Sequence, residues 1–338
     1  MIVGYRGREI DVATELQDSD LPKVRDLGAE VHAVPALTYE FLRPNWADGS
    51  AVGEDGVGGC SRNPAVASRG DGCPMADPAM RRAVALAVDK EQIRARLFGG
   101  TVRVANTAVT PEAWFYADQP PTPYDPDRAR SILEEAGWRD SDGDGVREKD
   151  GLRATIELCT TTRQARVDTL ALVSGWLADV GIEVVGNPVD STLIFADYNE
   201  AAPDTPCALS RSNFDLALHF FSSSIDPLGN YFAYHSSQFQ PAGANEAQVS
   251  HPDIDAALER VRSSVDFRTV HEAMADFQRA YVEQTAEIPL YYQSTVTLVR
   301  PVVSNFVPIR RMRARVERRR LVRAAVAAGT ASPSPHLR

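Results

Sequence analysis

The sequence predicts an α/β fold with a substantially parallel sheet, and three observations carry that expectation. From Arg153 onward, strand-like runs alternate with helical periods; two capped helices precede them; and 338 residues at 43% hydrophobic content can bury a sizeable core, with a length prior of about two domains. RATIELC reads as a strand, QARVDTLALVSGWLADVG as a helix, IEVVGNPV as a strand and STLIFADYN as a short helix. An apolar strand from Phe214 to Phe221 opens into a Ser-rich loop, HPDIDAALERVRSSVD is a helix capped near Ser250, FRTVHEAMADFQRAYVEQTA is a longer one, and EIPLYYQSTVTLV is a closing strand. In such sheets ligands sit at the carboxyl ends of strands.

The two earlier helices organise the stretch from Pro74 to Trp138. Asp77 caps the first, Pro78 suits its first turn, and Met80, Val84, Ala87, Val88, Ile93 and Leu97 recur at three-to-four spacing, which predicts one amphipathic helix. The second opens at Asp125-Pro126, buries Ala129, Ile132 and Leu133, and stops at Ala136-Gly137. Upstream, GREIDVATEL reads as a short strand followed by a helix, and VHAVPALTYEFLRPNWAD as an extended run. Residues 47–74, rich in Gly, Asp, Ser and Pro, are a long loop.

Net charge is −10, with nine Arg against Glu317 in residues 310–338, so the tail is +8 and the remainder −18. An acidic body argues against nucleic acid as a partner. No apolar run approaches the ~18 residues of a membrane span, and the start shows no charged region followed by an apolar one, so neither anchor nor export signal is expected in the chain as given. Four cysteines fall into two local groupings, Cys60 with Cys73 and Cys159 with Cys207, without a CxxC or Cys/His zinc pattern. Two disulfides, which imply an extracytoplasmic location, are one reading; four buried thiols are the other.

In RDSDGDGVREKDGL, Asp140, Asp142 and Asp144 alternate before Gly145 in the manner of an EF-hand loop, but the twelfth position is Gly151 and a strand follows. A solvated turn is favoured over a metal site, leaving Asp140, Asp142 and Asp144 as a weak metal candidate. No nucleophile, phosphate-loop or zinc-protease motif is present, the six histidines are scattered, and His219 inside an apolar strand reads as structural, so no enzyme and no cofactor are expected. Aromatic residues beside loops are the remaining signal: Trp114, Phe115 and Tyr116 after Pro111, and Phe220 and Phe221 leading into Ser222, Ser223, Ser224 and Asp226. Aromatic walls with a few polar groups suit a small-molecule cleft, although for any single ring core packing is the commoner role.

Several separated motifs resemble the extracytoplasmic solute-binding proteins of ABC transporters, specifically the peptide/nickel/oligopeptide-binding family (family 5). They are DPAMRRAVALAVDKEQI, PEAWFY, YDPDRARSILEEAGW with its trailing DSDGDGVR, LADVGIEV, FDLAL running to SSIDP, and HPDIDAALE. The resemblance implies a periplasmic-binding-protein type II-like fold whose two lobes close around a solute by hinge bending and deliver it to ABC permease subunits, in a monomer outside the cytoplasm, membrane-associated at full length. It implies one nearly whole lobe plus part of a second: residues 1–40 a remnant of lobe one, 41–289 lobe two, 290–309 the return crossing, and 310–338 a tail. Crossings are expected near TYEFLRPN and IPLYYQSTV, and ligand contacts at Asn45, Trp114, Tyr116, Phe220, Ser222, Ser223, Ser224 and Asp226.

Three departures shape the expected function. Most of lobe one is not matched, so the chain reads as a carboxyl-terminal fragment that binds weakly or not at all by itself. Three residues before Asp226-Pro227 stands Ser223 where members binding free-amino peptides place an acid; a hydroxyl cannot match a carboxylate against an ammonium, which leaves peptide-like solutes, sugars, opines or glutathione-like molecules. The tail, with nine Arg and six Ala in a chain of 33 Arg against three Lys, reads as out-of-frame translation of GC-rich DNA, with a polybasic helix as the second reading. A calcium-dependent or carbohydrate-associated extracellular binding module is the alternative of a different class.

Overall fold

A computed structural model describes residues 2–24, 27–50, 52–223, 225–307 and 322–323. The Arg-rich tail, apart from 322–323, and Ser224 lie outside the described residues. The chain divides into two compact units, residues 1–36 with 294–338, and residues 37–293; the divisions fall inside two strands.

The first unit contains α1 (Ile2–Arg6), β1 (Val12–Leu16), α2 (Leu21–Val24), the opening of β2 (Glu30–Pro44) and the end of β9 (Ile288–Val299). The helix expected after the first strand is a 3-10 turn at Asp18–Asp20 running into α2. β1 pairs antiparallel with β9, Val12 against Val299, and Tyr5, Ala13, Leu16, Leu21, Val24, Val296 and Leu298 form a small core of their own.

The second unit is a sheet packed on both faces. Its strands run β9-β2-β8-β6-β7, where β6 is Thr155–Thr161, β7 Glu183–Val189 and β8 Leu216–Ser222; β3 (Arg103–Val104) pairs with β9. The sheet is mixed and not substantially parallel. β6 is parallel to both β7 and β8, whereas β2 meets β8 antiparallel, with Tyr39 against Phe221 and Leu42 against Leu218. The βαβ crossover through α6 (Gln164–Ala178) explains the parallel part; β2, arriving from the other unit, adds the antiparallel part, which local alternation in sequence does not announce.

Alternation along the strands feeds two cores. Leu42, Leu158, Leu216 and Leu218 face α3 (Pro78–Ala87), α4 (Lys90–Phe98), α5 (Pro126–Glu135) and α6. Phe41, Cys159 and Ala217 face α8 (Leu228–Tyr234), α9 (Pro252–Ser263) and α10 (Phe267–Glu283). The helix expected to reach Leu97 without interruption is two helices: Val88 turns extended (φ −90°, ψ 115°) and Asp89 caps α4 by accepting from Gln92 N. Asp77 does cap α3, accepting from Ala79 N at 2.8 Å, and also accepts from Trp138 Nε1 and Lys149 Nζ. The cap of α9 is His251, one residue beyond Ser250. Gly181 closes the α6–β7 turn at φ +84°, where a Cβ would also lie 2.8 Å from Arg147 Cγ.

Candidate functional site

The register of β2 on β8 sets Glu40 opposite Phe220, near the carboxyl end of β8. There β6 ends at Thr161 and the chain turns into α6. Glu40 is fully buried and gathers four donors: Arg166 Nε at 3.1 Å and Nη2 at 2.9 Å, Arg163 Nη1 at 3.4 Å and Gln293 Nε2 at 2.8 Å. Arg166 is itself buried; its Nη1 donates to Thr161 Oγ1 at 3.0 Å and its guanidinium lies 5.2 Å from the Phe220 ring. Arg163 occupies the N-cap position of α6 without a side-chain cap bond, and its Nε is buried with no hydrogen-bond partner among the described residues.

These groups open onto a cavity of about 390 Å³. The hydroxyls of Thr161, Thr162 and Ser191 and the rings of Phe195 and Phe220 complete its lining, and no carboxylate lines it among the described residues. Two guanidinium groups at a helix start oppose the preference for anions there, because the macrodipole already presents positive charge. Two cations gathered at a helix N-terminus make a receptor for an anion. Phe195 lies on α7 (Ser191–Ile194) as its C-cap, its ring edge-on to Phe220 at 6.0 Å and to His219 at 5.9 Å. His219 is buried between Phe41 and Phe195; burial, then Arg43 and Arg166, push its pKa well below the usual value, so the imidazole is neutral.

A larger cavity of about 530 Å³ is lined by residues 48–73 alone, around the Cys60–Cys73 bridge. Both arginines lining it are engaged within the chain, Arg69 with Asp215 and Arg62 with the carbonyls of Gly56 and Pro203. Asp48 and Asp71 also line it, so unlike the smaller pocket it sets carboxylates beside its arginines.

Among the residues singled out in the sequence, Phe220 lines the charged pocket. Ser222 Oγ meets Thr38 Oγ1 at 3.2 Å, and the Ser223 amide donates to Leu37 O. Asp226 accepts from Leu228 N at 3.0 Å at the start of α8. Trp114 stands apart from Phe220: its Nε1 donates to Ile225 O at 3.0 Å and its ring packs against Phe267 at 5.0 Å, forming a half-exposed aromatic corner. Tyr116 donates to Asp118, and burial followed by that bond raises its pKa. Asn45 is completely buried; Nδ2 faces the carbonyls of Gly59, Ser212 and Phe214 at 3.0 Å, while Oδ1 accepts from Ala47 N. With those contacts made, Asn45 ties loops together.

The cysteines form two disulfides, Cys60–Cys73 and Cys159–Cys207. In the acidic turn Asp140 accepts from Gly143 N and Gly145 N, Asp142 from Asp144 N, and Asp144 from Val146 N and Arg153. These carboxylates serve the turn's own backbone; one oxygen each of Asp140, Asp142 and Glu148 lies within 4.8 Å of the others, an arrangement that acidic turns commonly show without an ion.

Missed in the sequence were Glu40, Arg163, Arg166, Thr161, Thr162, Ser191, Phe195 and Gln293. The available signal was TTTRQAR at a strand-to-helix join, where two basic residues fall at the helix start against the macrodipole preference.

With this geometry in place, the relatives become informative. Residues 3–241 match the family described as bacterial extracellular solute-binding proteins, family 5 middle. The chain belongs to this family. Family 5 comprises solute-binding proteins, not enzymes. The chain is 28% identical over 220 residues to the oligopeptide-binding protein AppA of Bacillus subtilis, covering 64% of this chain and 38% of that one. It is 25% identical over 245 residues to the nickel-binding periplasmic protein of Escherichia coli, covering 70% and 44%. In structure it resembles AppA from Bacillus subtilis in complex with a nonapeptide (TM-score 0.70, 21% identity, 90% of this chain and 55% of that one). It also resembles NikA from Brucella suis in complex with Fe(III)-EDTA (TM-score 0.69, 23% identity, 90% and 56%). The chain thus spans about half the length of the relatives it matches, and the fold it shares with them is the type II periplasmic-binding-protein α/β fold.

Proposed function

We propose that this family 5 chain is part of the solute-binding component of an ABC importer, acting outside the cytoplasm with ABC permease subunits as partners. We infer further that the pocket of Arg163 and Arg166 receives an acidic group of a peptide or peptide-like solute. Family membership supports the importer role, and two disulfides suit an oxidising compartment. One observation carries the solute class: two guanidinium groups, one with an unpartnered Nε, converge with three hydroxyls on a cavity walled by Phe195 and Phe220 at the carboxyl ends of parallel strands. Ser223 in place of a carboxylate fits a solute recognised by its acid more than by a free ammonium. Trp114 and Tyr116 belong to a second, aromatic contact beside Ile225.

Calorimetry of the chain with di- to pentapeptides, each as the free acid and as the carboxyl-terminal amide, tests this reading. Weak, saturable binding of acids with at least about tenfold loss for the amides is expected, since a charge-assisted bidentate contact is roughly twice as strong as a neutral one. Equal binding of acids and amides, or binding of neither, overturns it.

A further inference from the structure

Glu40 sits in the pocket's own machinery, and its position is unusual for an anion site. A carboxylate placed behind two guanidinium groups competes with any acid that enters. It is completely buried, held on both oxygens by Arg166 and touched by Arg163, so it cannot swing away to solvent. Counted as formal charges, Arg163 and Arg166 against Glu40 leave one positive charge facing the cavity. Each nitrogen of Arg166 already has a partner in Glu40 or Thr161, whereas Arg163 retains the unpartnered Nε and the more exposed side chain.

We propose that Glu40 is a specificity-determining counter-ion that limits this pocket to a group bearing a single negative charge, a carboxylate, and rejects dianions such as phosphate monoesters. The inference rests on the proposed reading of the pocket as an acid receptor and adds the charge state of the ligand. Arg163 supplies the matching charge. Arg166, locked by Glu40, orients the site and covers the Phe220 ring. A second negative charge on the ligand would face Glu40 in a partly desolvated cavity with no cation left to balance it, and like charges at such range are strongly unfavourable. Gln293 Nε2 on Glu40 Oε1 holds the carboxylate from the β9 side and fixes its place independently of the arginines.

The test uses the full chain and three probes sharing a phenyl ring for the aromatic walls: N-acetylphenylalanine, its amide, and phenyl phosphate at pH 8, where the phosphate is a dianion. Affinities are read by ligand-observed NMR titration. The unaltered chain is expected to prefer the carboxylate over both others, and Glu40→Gln, which leaves two positive charges, to reverse the order of carboxylate and phosphate by at least about tenfold. If the unaltered chain binds none of the probes, or the acid and amide alike, the acid-receptor reading falls and this inference with it. If the acid is preferred over the amide but Glu40→Gln leaves the carboxylate ahead of phosphate, only the counter-ion role falls. Should Glu40→Gln fail to fold, Arg163→Gln answers the same question from the exposed side: it is expected to keep the thermal midpoint and lose the discrimination between acid and amide, and retained discrimination overturns the charge count.

Discussion

Three tyrosyl hydroxyls and one guanidinium converge on Glu287, and the burial of this cluster makes stability depend on pH in base. Tyr39, Tyr234 and Tyr281 donate to Oε2 at 3.1, 2.9 and 2.7 Å, and Arg43 Nε donates to Oε1 at 2.6 Å. Burial, then the negative charge of Glu287, pushes all three phenols well above their usual pKa. The folded state therefore holds these protons where the unfolded chain releases them. The associated stability is complete below about pH 10 and falls as pH rises beyond it, by about 4 kcal/mol per pH unit for three such groups. Absorbance at 295 nm should show these tyrosines ionising only as the chain unfolds in base. Glu287→Gln strands Arg43 with Glu246 alone and should cost about 3 kcal/mol in urea unfolding. Lys90 has the opposite sign: burial pushes its pKa down to about 8, so below that pH the folded chain carries a buried ammonium at a cost. Lys90→Met should therefore stabilise the chain at pH 7, by about 2 kcal/mol, with the gain fading toward pH 10.

At the scale of elements, the helix starts decide where chains turn. Asp77 combines an N-cap with acceptance from Trp138 Nε1 at 2.9 Å and Lys149 Nζ at 2.8 Å, joining α3 to the α5 end and to β4 (Glu148–Lys149), which pairs with β5 (Leu152–Arg153). Asp77→Ala should cost about 2 to 3 kcal/mol, a cap plus a stranded indole N–H; a loss under about 1 kcal/mol in denaturant unfolding would show that the cap acts alone. Local chemistry of this kind was legible before the fold was known: Asp77, Asp125 and Gly181 stand where propensity places them. The break at Asp89 was less legible, since Met80, Val84 and Val88 before it and Ile93 and Leu97 after it keep steps of four, and only the five-residue step from Val88 to Ile93 marks the junction where Asp89 caps the next helix through Gln92 N. The pocket was least legible. Glu40 lies 123 residues from Arg163 and 126 from Arg166, and no periodicity within one element reports a pairing made by a β2–β8 register. The aromatic residues near loops include Phe220, which lines the pocket, but composition alone could not separate it from Trp114, whose surroundings are Ile225 and Phe267.

At the scale of the whole molecule, the bridges differ in what they restrain. Cys159–Cys207 spans 48 positions and ties β6 to the loop beyond α7, while Cys60–Cys73 spans 13 and closes a local loop. In the chain-entropy account these contribute about 4 and about 3 kcal/mol. Cys159 and Cys207 are both within 1% of fully buried, against 9% and 6% for Cys60 and Cys73. Mild reductant with thiol trapping and mass spectrometry should therefore label Cys60 and Cys73 in the folded chain, and label Cys159 and Cys207 only once denaturant unfolds it; equal labelling without denaturant would contradict that order.

The pairing of β2 with β8 ties recognition to correct assembly. Neighbouring residues of β2 serve unrelated partners: Tyr39 and Arg43 reach Glu287, and between them Glu40 reaches Arg166. Sliding β2 by one position would exchange the two sets, sending Phe41 toward the arginines and a carboxylate toward the tyrosines. On the proposed reading, a solute that senses the pocket's charge also senses the alignment of the sheet, and a single-residue insertion or deletion within β2 is expected to remove binding and stability together.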